Sequence, residues 1–339
     1  MHTIKLFTLS IFLSSVLGAT PLIEKASKAG LIPIPSSQEA LQKRIDPKGI
    51  MTPDIIELGK KLYFEPRLSK SGIISCNTCH NLGMGGADGV AAAVGHQWTA
   101  NPHHLNSPTV YNAVFFNAQF WDGRSPTLED QAQGPMQAEP EMAAPKTLVE
   151  KRINSIPEYV QAFQKAYGPK VNIDFEKITA TIGIFERTLV TPSRFDTFLQ
   201  GTSEALSKEE KEGLSLFIDK GCTTCHTGIA LGGSMQAFQI TAKYTYANVG
   251  DFKGDAKGLI KTPTLRNITQ TAPYFHNGAI WNLAEAVKEM GRTQLGINIT
   301  DEEAKKITTF FHALEGKKPN ITYPQLPNST DKTPKPDFH

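Results

Sequence analysis

The chain reads as a mostly α-helical protein built from two units of one kind, and three observations predict it. One short motif occurs twice, as Cys76-Asn77-Thr78-Cys79-His80 and as Cys222-Thr223-Thr224-Cys225-His226. Each copy follows a glycine-bearing helical pattern that ends in Leu and an aromatic: Gly59-Lys60-Lys61-Leu62-Tyr63-Phe64, and Gly213-Leu214-Ser215-Leu216-Phe217. Most of the remaining segments carry helix caps and helical spacing rather than strand alternation.

The motif has a physical reading. On a helical turn, residues at i, i+3 and i+4 share a face. Two thiols on that face form thioethers to the haem vinyl groups, and the adjacent imidazole reaches the iron. Cys76, Cys79, Cys222 and Cys225 are all the cysteines in the chain. A redox disulfide needs no following His, yet both copies have one. A four-cysteine zinc site would have to join copies 146 positions apart (222 minus 76). The repeat therefore predicts two cytochrome c-like domains, each with one covalently bound haem c and with His80 and His226 as axial ligands.

In chain order, residues 1–19 read as a signal peptide: Lys5, an apolar run from Leu6 to Leu17, then Gly18 and Ala19. The run is short for a membrane span. Export suits covalent haem attachment, so a periplasmic protein that is not membrane-embedded is expected. Residues 20–190 form the N-terminal haem domain, 191–315 the C-terminal one and 316–339 an extended tail, with Thr191-Pro192-Ser193 as the boundary.

A short helix is expected at Pro21–Ala29, then an extended arm punctuated by prolines. Thr52-Pro53 starts a helix that presents Ile55, Leu58 and Leu62 on one face. Leu128–Gln133, Pro145–Ile153, Pro157–Tyr167 and Asp174–Leu189 read as helices. Ser207-Lys208-Glu209-Glu210 is a capping box that opens the second pre-motif helix. Gln239–Tyr246 alternates and reads as a short strand or an ordered loop. Asn282 caps a helix to Met290 with Gly291 at its C-cap, and Thr300 caps another to about Leu314. The five prolines of the tail keep it extended, and its last stretch is expected to be disordered.

The second axial position on each iron separates a carrier from a catalyst. Of nine histidines, His96, His103, His104 and His276 remain after the proximal, terminal and signal-region ones and the last-helix His312 are set aside. His96 sits in a glycine-rich loop that can fold over the first haem. The available thioethers are Met235 and Met290, and Met290, at a helix end, is better placed as a lid. The formal net charge of +2, or +1 without Lys5, argues against nucleic acid as a partner.

Over nearly all of its mature length the chain resembles the bacterial di-haem cytochrome c peroxidases. The matching stretches are Ser75–Gly86, Val94-Gly95-His96, Asn106–Thr109, Gln119–Arg124, Gln131 with Gly134-Pro135, Glu141-Met142, Leu265–Asn267 through Ala272–His276, and Met290-Gly291. The resemblance implies reduction of hydrogen peroxide by a small cytochrome c or a cupredoxin. It implies a C-terminal high-potential haem held by His226 and Met290, which accepts electrons. It also implies an N-terminal peroxidatic haem held by His80 and by His96, which must leave to admit peroxide. Glu141 is the implied acid–base residue, Gln131 its hydrogen-bonding partner, and Trp121 an aromatic between the haems. Asn106 and the carbonyls of Thr271 and Pro273 are the implied Ca²⁺ ligands, His276 belongs to the hydrogen-bonding shell of the haem interface, and the protein is a homodimer. His103-His104-Leu105 lengthens the loop relative to the family pattern. Two rival readings are a di-haem electron carrier, against which Glu141 and Gln131 argue, and a methylamine-utilisation-type oxidase, which carries Tyr where Met290 stands.

Overall fold

The computed structural model describes residues 21–339, so the expected signal peptide lies outside the described residues. Thr52 caps as expected, accepting from Ile55 N at 3.3 Å, and helix α3 (Pro53–Tyr63) buries Ile55, Leu58 and Leu62. Such a cap is worth about 1 kcal/mol. Two short helices precede it, α1 (Pro21–Lys28) and α2 (Gln38–Ile45), and α4 (Cys76–Cys79) follows it. Next come α5 (Leu128–Gln131), α6 (Gln133–Gln137), α7 (Lys146–Asn154), α8 (Pro157–Tyr167), α9 (Phe175–Glu186) and α10 (Arg194–Leu199). The second half holds α11 (Lys208–Asp219), α12 (Leu283–Met290), α13 (Asp301–Phe311) and one antiparallel pair, β1 (Met235–Ala237) with β2 (Leu259–Lys261).

The glycine shared by the two pre-motif helices has a packing reason. A Cβ on Gly59 would stand 2.3 Å from Thr181 O of α9, and one on Gly213 would stand 2.1 Å from Lys306 O of α13. Helix backbones thus touch at the same place in both halves, which fixes each motif against its own core. One core runs through α3, α7, α8 and α9, with Leu62, Tyr159, Phe163 and Phe175 wholly buried. The other joins α10, α11 and α13 through Phe195, Phe198, Leu214 and Phe310, and α1 contributes Ile23 and Ala26 to it.

Several local expectations are revised. The arm after α1 is interrupted by α2, a largely exposed helix that Ser37 caps by accepting from Ala40 N. Gln239–Tyr246 is an ordered loop, and the strand precedes it. Gly291 is the C-cap of α12 as expected, but its φ is −57°, not left-handed; the chain continues as a π turn over Gly291–Leu295, and Gly296 (φ 65°) makes the turn. A Cβ at 291 would meet Ile299 Cδ1 at 2.5 Å, so a larger residue there would require that side chain to shift.

The tail is extended but anchored. It leaves the second core through bonds from Gly316 N to Asn267 Oδ1 and from Lys317 N to Pro192 O, both 2.8 Å. It then crosses the first unit, where the buried Arg152 guanidinium donates to five carbonyls: Arg67, Ser69, Lys70, Pro334 and Lys335. Its end reaches the His96 loop, where Gln97 Nε2 donates to Phe338 O at 2.9 Å.

Among the described residues, no helix is long and apolar enough to cross a membrane.

Candidate haem sites and the gap between them

The loops that carry the site residues are pinned by four antiparallel bridges, each closing seven residues: Asn81 to Ala87, Val94 to Ala100, Gln119 to Ser125 and Tyr274 to Ile280. A loop of this length without regular structure gains its order from such closures.

In the first motif, Ser75 N donates to Thr78 Oγ1 at 3.0 Å and starts α4, and Cys76 O accepts from His80 N. His80 Nδ1 lies 2.9 Å from Pro108 O. A carbonyl accepts only from N–H, so Nδ1 carries the proton and Nε2 keeps its lone pair for a metal. Tyr63, fully buried, donates to His80 O at 2.6 Å. The second motif starts from Gly221 (φ 81°), and His226 Nδ1 lies 3.1 Å from Leu231 O, fixing the same tautomer. Burial pulls His226 down to about 4 and His80 below its usual value, so both imidazoles are neutral. Burial pushes the Cys79 thiol up to about 12 and Cys222 to about 11.

A cavity opens over the second motif. Cys222, Cys225, His226 and Met290 line it together, among mostly apolar neighbours such as Phe217 and Leu283. Met235 is not among them: its Sδ sits where a Cβ on Gly123 would be, 2.5 Å away. An apolar slot with one neutral imidazole and one thioether fits a macrocycle of haem type. The same cavity continues to Asn106, Trp121, Lys261, Thr271 and Pro273.

Over the first motif, Val94 O lies 3.7 Å from Cys79 Sγ, which brings the His96 loop to the attachment site. His96 is buried, and its Nδ1 has no hydrogen-bond partner. Gln97 and Trp98 both take positive φ (62° and 57°), an unfavourable backbone for either residue. His96 N–H donates to Glu141 O at 2.6 Å. Gly95 makes this approach possible, since a Cβ there would fall 2.0 Å from Pro140 O and 2.6 Å from Glu141 O. The Glu141 carboxyl is raised by burial and partly lowered by Arg124, and it is near enough to raise Cys79. Gln131 is half-buried at the end of α5, and Ala132 and Met136 beyond it belong to the first core.

Trp121 spans the two units. Its Nε1–H donates to Asn106 O at 2.9 Å, its carbonyl accepts from Lys261 N at 2.7 Å, and its ring meets His276 edge-on at 6.3 Å. Asn106 Nδ2 donates to Val90 O, which leaves Oδ1 as the side chain's ligand atom on the cavity that Thr271 and Pro273 also border. His276 borders the same cavity, with its ring packed against aromatic neighbours. The ring lies among Trp121, Phe238, Tyr244 and Phe252, and the residue joins the interface through its carbonyl, which accepts from Asn106 N at 2.8 Å. Sequence reasoning missed Lys261 and Arg152. Neither has a motif, and a buried cation leaves no local signature.

Residues 53–204 match the family model for di-haem cytochrome c peroxidase, and residues 210–315 match that for cytochrome c. The chain is 46% identical over 295 residues to cytochrome c551 peroxidase of Pseudomonas aeruginosa, covering 83% of this chain and 84% of that one. It is 43% identical over 307 residues to cytochrome c551 peroxidase of Nitrosomonas europaea, covering 87% and 91%. Among solved structures, a MauG-like protein associated with microbial copper homeostasis superposes with a TM-score of 0.69 at 25% identity, over 79% of this chain and 91% of that one.

Proposed function

The chain belongs to the di-haem cytochrome c peroxidase family, and from that premise we propose how its two haem c sites divide the work. The protein acts in the periplasm. A small cytochrome c or a cupredoxin gives electrons singly at the His226/Met290 site, and hydrogen peroxide takes them at the His80 site. Per turnover, peroxide, two protons and two electrons give two waters. When bound, the haem irons supply one-electron redox chemistry and, at the first site, the centre where peroxide accepts electrons.

The chain's own residues do the rest. The four cysteines tether, and the carbonyls of Pro108 and Leu231 aim His80 and His226. Met290 supplies a thioether, a ligand that raises the potential of the accepting site. His96 occupies the first site at rest and withdraws with its loop to admit peroxide. Glu141 takes a proton from the near oxygen of peroxide and returns it to the leaving one, with Gln131 orienting the pair. Trp121 fills the gap between the sites. Asn106 and the carbonyls of Thr271 and Pro273 hold Ca²⁺, with waters completing its six to eight oxygens. The working form is a homodimer.

The observation that carries this reading is the bond from His96 N–H to Glu141 O, 2.6 Å. Gate and acid share one hinge, so the loop that uncovers the site stays tied to the turn that presents the carboxyl. The test is electron paramagnetic resonance of the holoprotein with calcium present, oxidised and then reduced by one electron. Conversion of a low-spin bis-His signal into an open, peroxide-reactive ferric haem is the expected result. A low-spin signal that persists while peroxide goes unreduced would make the protein an electron carrier.

A further inference from the structure

Lys261 ends β2 in the gap between the two sites. It is 4% exposed, and among the described residues its ammonium forms no ion pair. The carboxylate that feels it, Asp122, is already committed: its two oxygens accept from Arg124 Nη1 at 2.8 and 2.9 Å. The partner Nζ does have is the face of Phe116, 4.8 Å from the ring centroid. Burial accordingly pulls Lys261 down to about 7. A cation out of water with one ring for company costs several kcal/mol, and chains keep such groups where an anion meets them.

The position says which anion. Lys261 lines the cavity that Cys222, Cys225, His226 and Met290 line, and its backbone N–H is bonded to Trp121 O. Its charge also reaches His80. Haem carries two propionate carboxylates, and among the described residues this apolar cavity offers them few cations.

We propose that Lys261 is the counter-ion of a propionate of the haem attached at Cys222 and Cys225, a positioning residue that holds this carboxylate beside Trp121 and raises that haem's reduction potential. The sign follows from Coulomb's law. A fixed positive charge disfavours the ferric state, and so does neutralising a nearby carboxylate. The inference needs two haem groups and is indifferent to which of them meets peroxide, so it survives failure of the gating reading.

The test is spectroelectrochemical titration of holoprotein carrying Lys261→Met, Lys261→Gln or Lys261→Arg, each checked for two haems per chain. The wave of the second haem is assigned by its response to Met290→His. In the Met and Gln variants that wave should move down, by a tenfold or greater change in the reduction equilibrium, which is 59 mV for one electron, and by clearly more than the wave of the first haem. The Arg variant should retain the wild-type value. Unmoved waves in a fully loaded Met or Gln variant, or equal shifts of both waves, overturn the proposal. If neither neutral variant takes up haem, a crystal structure of the wild-type holoprotein decides. Nζ within hydrogen-bonding distance of that propionate upholds the assignment, and Nζ turned to Asp122 or to solvent ends it.

Discussion

Glu141→Gln isolates proton transfer from everything else Glu141 does. The amide keeps the volume of the carboxyl, and the backbone that ties the turn to the gate is untouched: Glu141 N still donates to Ala138 O and Glu141 O still accepts from His96 N. General acid–base catalysis contributes ~10²–10⁴-fold, which is about 3–5 kcal/mol of barrier at 1.36 kcal/mol per decade. The structure favours the upper half of that range. The carboxyl is desolvated enough for burial to raise it, so bulk water is poorly placed to replace it. The expected loss is therefore ~10³-fold or more in kcat/KM for peroxide, with haem content and both potentials kept. The assay is steady-state oxidation of a reduced donor cytochrome, paired with stopped-flow mixing of the activated enzyme and peroxide. The pH profile gives a second reading. Proton acceptance needs the ionised carboxyl, and its pKa is raised, so wild-type activity should fall as pH drops through a value above the ordinary carboxylate range. The variant should have no such limb. A variant within threefold of wild type, or one that keeps the limb, would refute the assignment.

Arg152→Leu removes the donor shared by Arg67, Ser69, Lys70, Pro334 and Lys335. Each carbonyl left buried without a donor should cost about 1–3 kcal/mol, seen as rapid amide exchange over residues 327–339; unchanged exchange there would mean that the strap is held by something else. Glu186 is buried with one oxygen unpartnered, and burial raises it to about 8 from 4.5. The folded state thus keeps a proton that the unfolded state releases, so stability falls as pH rises across that window. Glu186→Gln should flatten the fall, with the variant gaining on wild type by a few kcal/mol, on the order of the shift, between pH 5 and pH 8; parallel denaturation curves would contradict it. Among the described residues, no cluster of three or more acidic, His or Cys side chains could hold a metal. The proposed calcium site therefore rests on neutral oxygens, and its Kd should be weak, ~10⁻⁴ M. Calorimetry on chelator-treated protein checks it, and submicromolar binding would demand a different ligand set.

The parts of this fold that were legible in the sequence are those whose signal is local. Caps at Thr52, Ser207, Asn282 and Thr300 all close as read, because a side-chain oxygen and an N–H three residues on are neighbours in any context. The attachment motifs are similarly self-contained. The tail was not legible. It is held largely through backbone carbonyls, which every residue carries, and the groups that hold it, Arg152, Arg67 and Lys70, lie far away in sequence. Helix α2 was masked by its flanking prolines and by burying only one of its side chains, Ile45. His276 looked polar from its type, whereas its ring is surrounded by aromatic rings brought from Trp121 and from the distant stretch 238–252. Lys261 was invisible because what marks it is the absence of a partner.

The same repeat therefore yields two different chemical environments, and the difference lies on the side of each site away from the motif. Both halves build a helix crossing on a glycine, then a C-x-x-C-H turn with its imidazole aimed by a carbonyl. Over the second motif the chain places Met290 and apolar side chains, with no acid among the lining residues. A site that offers a thioether and an imidazole and has no carboxyl in its lining is suited to holding and passing electrons. Over the first motif it places a histidine with an orphaned nitrogen, two residues in unfavourable backbone conformations and a carboxyl raised by burial. Each of these is a local cost that tighter folding would remove, and all three lie on one hydrogen-bonded turn. Costs gathered in this way make a loop easier to displace and a proton easier to move. The duplicated scaffold is the constant, and the segments 94–98 and 138–142 are where the first copy departs from it, as the proposed division of work requires.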